Sequence, residues 1–117
     1  MRVFVFGSNL AGRHGKGAAR FALLNYGAKY GHGEGLHGAS YAIPTKDGRL
    51  QPLPLPAIQA RVEAFLTFAR EHPEHVFTVT PIGTGLAGYT AEQIAPMFKN
   101  APANCALAPN FRRVLGL

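Results

Sequence analysis

Two glycine-rich stretches hold the residues of this chain whose types and spacing suit anion chemistry. The first runs Gly7-Ser8-Asn9 and then Gly12-Arg13-His14-Gly15-Lys16-Gly17; the second is Ile82-Gly83-Thr84-Gly85-Leu86-Ala87-Gly88-Tyr89. Glycine carries no side chain to keep a backbone N–H from an oxyanion, and a helix N-terminus behind such a loop adds a favourable dipole. Each stretch follows a short apolar run and precedes a helical pattern, within Val3–Leu24 and Val76–Phe98. Together they suggest a clamp on a phosphate-bearing ligand. A tight turn with close packing is the competing reading of either stretch alone.

Neither stretch matches a standard nucleotide motif. Gly12, Gly15 and Gly17 reverse the spacing of the dinucleotide fingerprint, and Lys16 is followed by Gly17 where a kinase-type phosphate loop needs Ser or Thr. Around them stand the candidates for proton transfer: His14 in the first loop, Glu34 and His37 beyond it, and Lys46. A histidine titrates near neutrality and a glutamate can activate water. His14 equally reads as a phosphate donor, Glu34 as a solvated loop charge and Lys46 as a surface turn cation. Tyr89 is either a stacking platform for a base or ribose or a buried aromatic under the following turn. The five histidines show no helical i,i+4 pair and no Cys/His zinc spacing, so no metal is expected. No other cofactor is expected either. Cys105 lies in an apolar segment as a small core residue, and Ser8 lacks the G-x-S-x-G elbow of a hydrolase nucleophile.

These residues need a scaffold, and the apolar patterning outlines one. Val3 to Phe6 is a continuous apolar run that reads as a central strand, followed by a helix over Ala18–Tyr26 stopped by Gly27. Gly27 to Gly38, with five glycines, reads as a surface loop. Ser40–Ile43 reads as a short strand ended by Pro44, with a polar turn over Thr45–Arg49. Pro52, Pro54 and Pro56 hold the chain extended until a helix whose apolar face is Ile58, Val62, Phe65, Leu66 and Ala69, ended by His72-Pro73. Val76–Ile82 reads as a strand; Thr90 and Gln93 form a capping box for a helix containing Ile94, Met97 and Phe98, closed by Asn100 and Pro102. Cys105–Leu107 is the last expected strand, and Phe111–Leu117 reads as a tail. Alternating strands and helices predict an α/β domain over residues 1–117, with a mostly parallel sheet and its ligand at the carboxyl ends of the strands.

Composition narrows the partners. Of 117 residues, 47% are hydrophobic and 15% charged, so a packed core is expected, and no apolar run is long enough for a membrane span or a signal peptide. One cysteine suits a reducing cytoplasm. A net charge of +6 favours an anionic ligand, nucleic acid or an acidic partner, although the longest basic cluster is only Arg112-Arg113. The oligomeric state is left open.

Read together, the two loops resemble the macro-domain superfamily. Phe6-Gly7-Ser8-Asn9 followed by Gly12 to Ala19 looks like its asparagine-containing turn and glycine run. Ile82 to Gly88 is similar to its second phosphate loop, above all to the I-G-C-G-L-D of the terminal ADP-ribose glycohydrolase branch. Tyr41-Ala42-Ile43-Pro44-Thr45-Lys46 resembles the strand ending in Thr-Lys that precedes the long helix of that branch. The order agrees over about Val3 to Phe98. The resemblance implies a three-layer α/β/α sandwich, in a minimal form of the phage or bacterial kind, that binds ADP-ribose or a related nucleotide. Gly83 to Gly88 would then donate to phosphate, Asn9 would sit near the distal ribose, and Gly15 and Gly17 beside the diphosphate. It also implies hydrolysis of an ADP-ribosyl bond, but the aspartate that serves that branch is Ala87 here, and the strands and acidic adenine contact that precede the first loop in larger macro domains have no counterpart. Sequestration without catalysis, or a basic nucleic-acid-binding module, are the alternatives.

Overall fold

The computed structural model describes residues 1–117. Strand β1 (Arg2–Asn9) leads into helix α1 (Gly17–Asn25), then β2 (Gly35–His37), β3 (Ser40–Lys46), α2 (Leu55–Glu71), β4 (Val76–Val79), α3 (Ala91–Ile94), a 3-10 turn (Ala95–Phe98), β5 (Cys105–Leu107) and α4 (Pro109–Leu115). The sheet order is β2-β3-β1-β4-β5. β1 pairs parallel with both β3 and β4, β5 pairs parallel with β4, and only β2 is antiparallel. This is an α/β fold with a five-stranded, mostly parallel sheet and a central first strand, as the apolar run of β1 predicts. No helix is long and apolar enough to cross a membrane.

Alternation along β1 divides the core. Val3 and Val5 join Tyr41, Ile43, Phe77 and Val79 in the larger apolar cluster, with α2 and Phe98 and Phe111 packed on it. Phe6 and Ala42 instead meet Ala19 and Ala22 of α1 in a smaller one. The expected face of α2, Ile58 to Ala69, is buried in full. That helix has no side-chain cap at Pro54, a deficit of about 1 kcal/mol. Each buried Ile, Val or Phe on its face contributes about 1.5–3 kcal/mol, so packing outweighs the missing cap.

Five expectations need correction. Residues Gly35–His37 are not loop but strand β2, hydrogen-bonded to β3. Pro44 does not end β3, which continues to Lys46. The N–H of Phe4 donates to Ala39 O at 2.9 Å, so odd-numbered residues of β3 serve β1 and the nitrogen of Pro44 faces the other side. There the antiparallel pairing has already ended at Gly35↔Ala42, so no ladder bond is lost. β4 stops at Val79 rather than Ile82: the N–H and hydroxyl of Thr80 still donate to Val5 O (3.1 and 2.7 Å), but Pro81 has no donor and the N–H of Ile82 turns back to Thr80 O at 2.7 Å instead of reaching β1. The capping box at Thr90 and Gln93 is present, but the α-helix it opens lasts only to Ile94. Pro96 cannot donate to the preceding turn, and the chain tightens into a 3-10 turn. The expected tail is helix α4, with Pro109 in its first turn and Gly116 left-handed at its end (φ 73°).

Candidate functional site

The parallel arrangement sets the carboxyl ends of β1, β3 and β4 side by side, so the chain segments leaving them share one edge of the sheet. A cavity of about 680 Å³ lies there, within the roughly 300–1,000 Å³ usual for small-molecule sites. Gly7, Ser8, Asn9, Gly15 and Gly17 line it from the first loop, and Ile82, Gly83, Thr84, Gly85, Leu86 and Ala87 from the second. Lys46 lines it from the end of β3.

Its electrostatics are one-sided. Arg13, Lys16 and Lys46 are on the wall, and no Asp or Glu is. The one salt bridge in the molecule, Arg61 to Glu34 at 2.6 Å, is elsewhere, so the three cations have no carboxylate partner. Backbone donors add to them. The N–H groups of Gly83, Gly85, Leu86 and Ala87 have no acceptor within the protein, nor do those of Gly15, Gly17, Ala18 and Ala19. The last three open α1, whose N-terminus has no side-chain cap. Unsatisfied N–H groups at a helix start, beside unpaired cations and free of carboxylates, are an arrangement whose electrostatics suit an anion.

The residues beneath the first loop brace it. Asn9 uses its amide on the backbone of Arg13, donating to Arg13 O at 2.9 Å and accepting from Arg13 N at 3.0 Å. The hydroxyl of Ser8 donates to Gly33 O. Gly12 and Gly33 are required by contact with neighbouring backbone. A Cβ on Gly12 would lie 2.3 Å from the carbonyl carbon of Gly31, and one on Gly33 would lie 2.0 Å from Asn9 O. The Gly27–Gly38 segment is therefore interlocked with the first loop, and Tyr30, the one aromatic side chain on the cavity wall, comes from it.

Several candidates lie outside the cavity. His14 is buried, 1% exposed, behind the loop it belongs to. Its Nε2 is 3.1 Å from Lys29 O and 3.2 Å from His32 O; two carbonyl neighbours require that nitrogen to carry the proton. Nδ1 has no partner. His14 thus ties the Tyr30 segment to the first loop and does not line the cavity as either a phosphate donor or a proton carrier would. Gly12 packs against backbone and is likewise off the wall. Glu34 is paired with Arg61 of α2, and its charge helps burial push the Tyr41 phenol up to about 12, burial being the larger cause. His37 is on β2 with its ring 5.0 Å from that of His32. Gly88 turns back to Gly85 O at 3.0 Å. Tyr89 is half-buried: it donates its hydroxyl to Leu53 O at 2.5 Å and packs on the larger core cluster, and it does not line the cavity. Arg112 and Arg113 are exposed on α4, away from the cavity.

Arg13, Lys16, Tyr30, Thr45, Leu50, Thr80 and Pro81 are also on the wall, beyond the site residues expected from the sequence. Arg13 and Lys16 sit between the loop glycines and were open to discovery there. Tyr30 and Leu50 carry no local signal, because their placement depends on chain folding back from elsewhere. Compared with protein-family models, curated proteins and solved structures, this chain matches none.

Proposed function

We propose that this protein binds ADP-ribose or an ADP-ribose-derived nucleotide in this cavity, with its diphosphate held by the two glycine loops. The observation that carries the reading is that residues of both loops whose N–H groups have no acceptor share one carboxylate-free wall with three unpaired cations. The cavity is also large enough for a dinucleotide-sized ligand, and apolar clusters on both sides of the sheet accord with a macro-like sandwich. Isothermal titration with ADP-ribose is expected to give saturable heat. No heat at millimolar ligand, while another nucleotide binds, overturns the assignment. Gly85 has open space where a Cβ would be and no positive φ, so Gly85→Val is expected to fold normally and abolish binding by filling the cavity. Retained affinity in that variant would place the ligand elsewhere.

Binding without hydrolysis is favoured by a second observation. Ala87 stands where the resembling branch has its aspartate, and no other carboxylate reaches the wall, so water at an anomeric carbon has no carboxylate base. Lys46, unpaired on the wall, is the candidate that keeps hydrolysis open. Incubation with ADP-ribosylated protein or DNA, read by mass spectrometry, separates the two: intact substrate is expected, and released ADP-ribose would establish a hydrolase. A nucleic-acid-binding module would instead show affinity falling steeply with salt across many phosphate contacts.

A further inference from the structure

We propose that Leu50 is a specificity-determining residue of this cavity, packing against the uncharged part of the nucleotide beside Lys46. The inference rests on the nucleotide reading above.

Leu50 is the only residue other than glycine with a positive φ, at 64°. In that region the Cβ crowds the backbone, and glycine or asparagine adopts it more readily than leucine. The turn itself does not need the leucine. It is closed by Asp47 N to Gln51 O at 2.7 Å and Leu50 N to Asp47 O at 3.1 Å. The carboxylate of Asp47 also accepts from Arg49 N at 2.8 Å and Gln51 N at 3.0 Å. All four contacts join the backbone of residues 49–51 to Asp47, two through its backbone and two through its carboxylate. The glycine of the turn, Gly48, is not at the strained position.

Burial in the core does not explain the leucine either. Leu50 belongs to neither apolar cluster and is 39% exposed. It lines the cavity, four residues along from Lys46, as does Leu86, which is 67% exposed. Phosphate gains nothing from a leucine, whereas a base or the carbon face of a sugar removes its apolar surface from water. A strained, half-exposed apolar residue on the wall of an anion site fits a contact completed by ligand.

The test uses Leu50→Gly and Leu50→Asn, both of which tolerate the left-handed backbone, with ADP-ribose and inorganic pyrophosphate as paired probes followed by NMR titration. Melting temperature is expected to hold or rise as strain is relieved. ADP-ribose affinity is expected to fall about five-fold, as for loss of partial leucine burial, with pyrophosphate affinity unchanged. Unaltered ADP-ribose affinity, or an equal loss for both probes, overturns the role of Leu50. Wild-type protein that takes pyrophosphate and refuses ADP-ribose overturns the nucleotide reading itself, and this proposal with it.

Discussion

Glycines that look alike in the two motifs do different jobs. Gly85 faces open cavity, whereas Gly12 has φ 69° and backbone atoms where its Cβ would be. On the proposed function, the difference separates ligand binding from folding. Gly12→Ala is expected to destabilise the protein by about 1–3 kcal/mol or more, through both the left-handed backbone and overpacking against Gly31. Urea denaturation measures it, and an unchanged midpoint would mean that the Gly31 segment can move aside freely. His14 belongs to the same interlock: its Nε2, between two carbonyls, fastens the segment that brings Tyr30 to the wall.

Among the elements, α3 is the shortest helix and depends most on its ends. Four residues form too few intrahelical bonds to stand without a cap. Thr90 Oγ1 accepts from Gln93 N at 3.3 Å, and Gln93 Oε1 accepts from Thr90 N at 2.9 Å. The box follows directly on Tyr89, whose N–H donates to Gly83 O at 2.9 Å, so it also anchors the second loop. Thr90→Ala is expected to cost about 1 kcal/mol, seen as an earlier urea midpoint. Because the two side chains act as a pair, Thr90→Ala and Gln93→Ala together should cost less than their separate losses added. Simple additivity would show that the box contributes nothing as a unit.

At the scale of the whole molecule, charge and burial set the response to pH. Burial pushes the Cys105 thiol up to about 11, partly opposed by Arg70, and burial with the nearby Glu34 charge pushes the Tyr41 phenol up to about 12. Both groups hold their protons more tightly folded than unfolded. Their contribution is therefore fully present below the unfolded values of 9.0 and 10.0 and is lost as pH rises through the folded ones. Stability is expected to decline from about pH 9 upward, and Tyr41→Phe is expected to flatten the upper part of that decline. Urea midpoints measured at a series of alkaline pH values check it; an equal slope in the variant would assign the decline to other groups.

Much of this architecture is local, and what is local was legible in the amino-acid sequence. The apolar run of β1, the buried face of α2, the Thr90–Gln93 box and the pairing of two glycine loops each rest on periodicity, capping or side-chain size within a few residues. What failed depends on partners far along the chain. β2 exists because β3 offers an edge, and Pro44 stays in its strand because the neighbouring strand has ended. Glu34 meets Arg61 rather than the cavity, and Tyr89 meets Leu53 O away from the cavity wall. The sequence by itself determined an α/β chain with two glycine-rich loops, each following a strand. Only tertiary structure decided that Arg13, Lys16, Lys46, Tyr30 and Leu50 share one wall while His14 lies behind it, because facing and pairing come from contacts that no local pattern encodes.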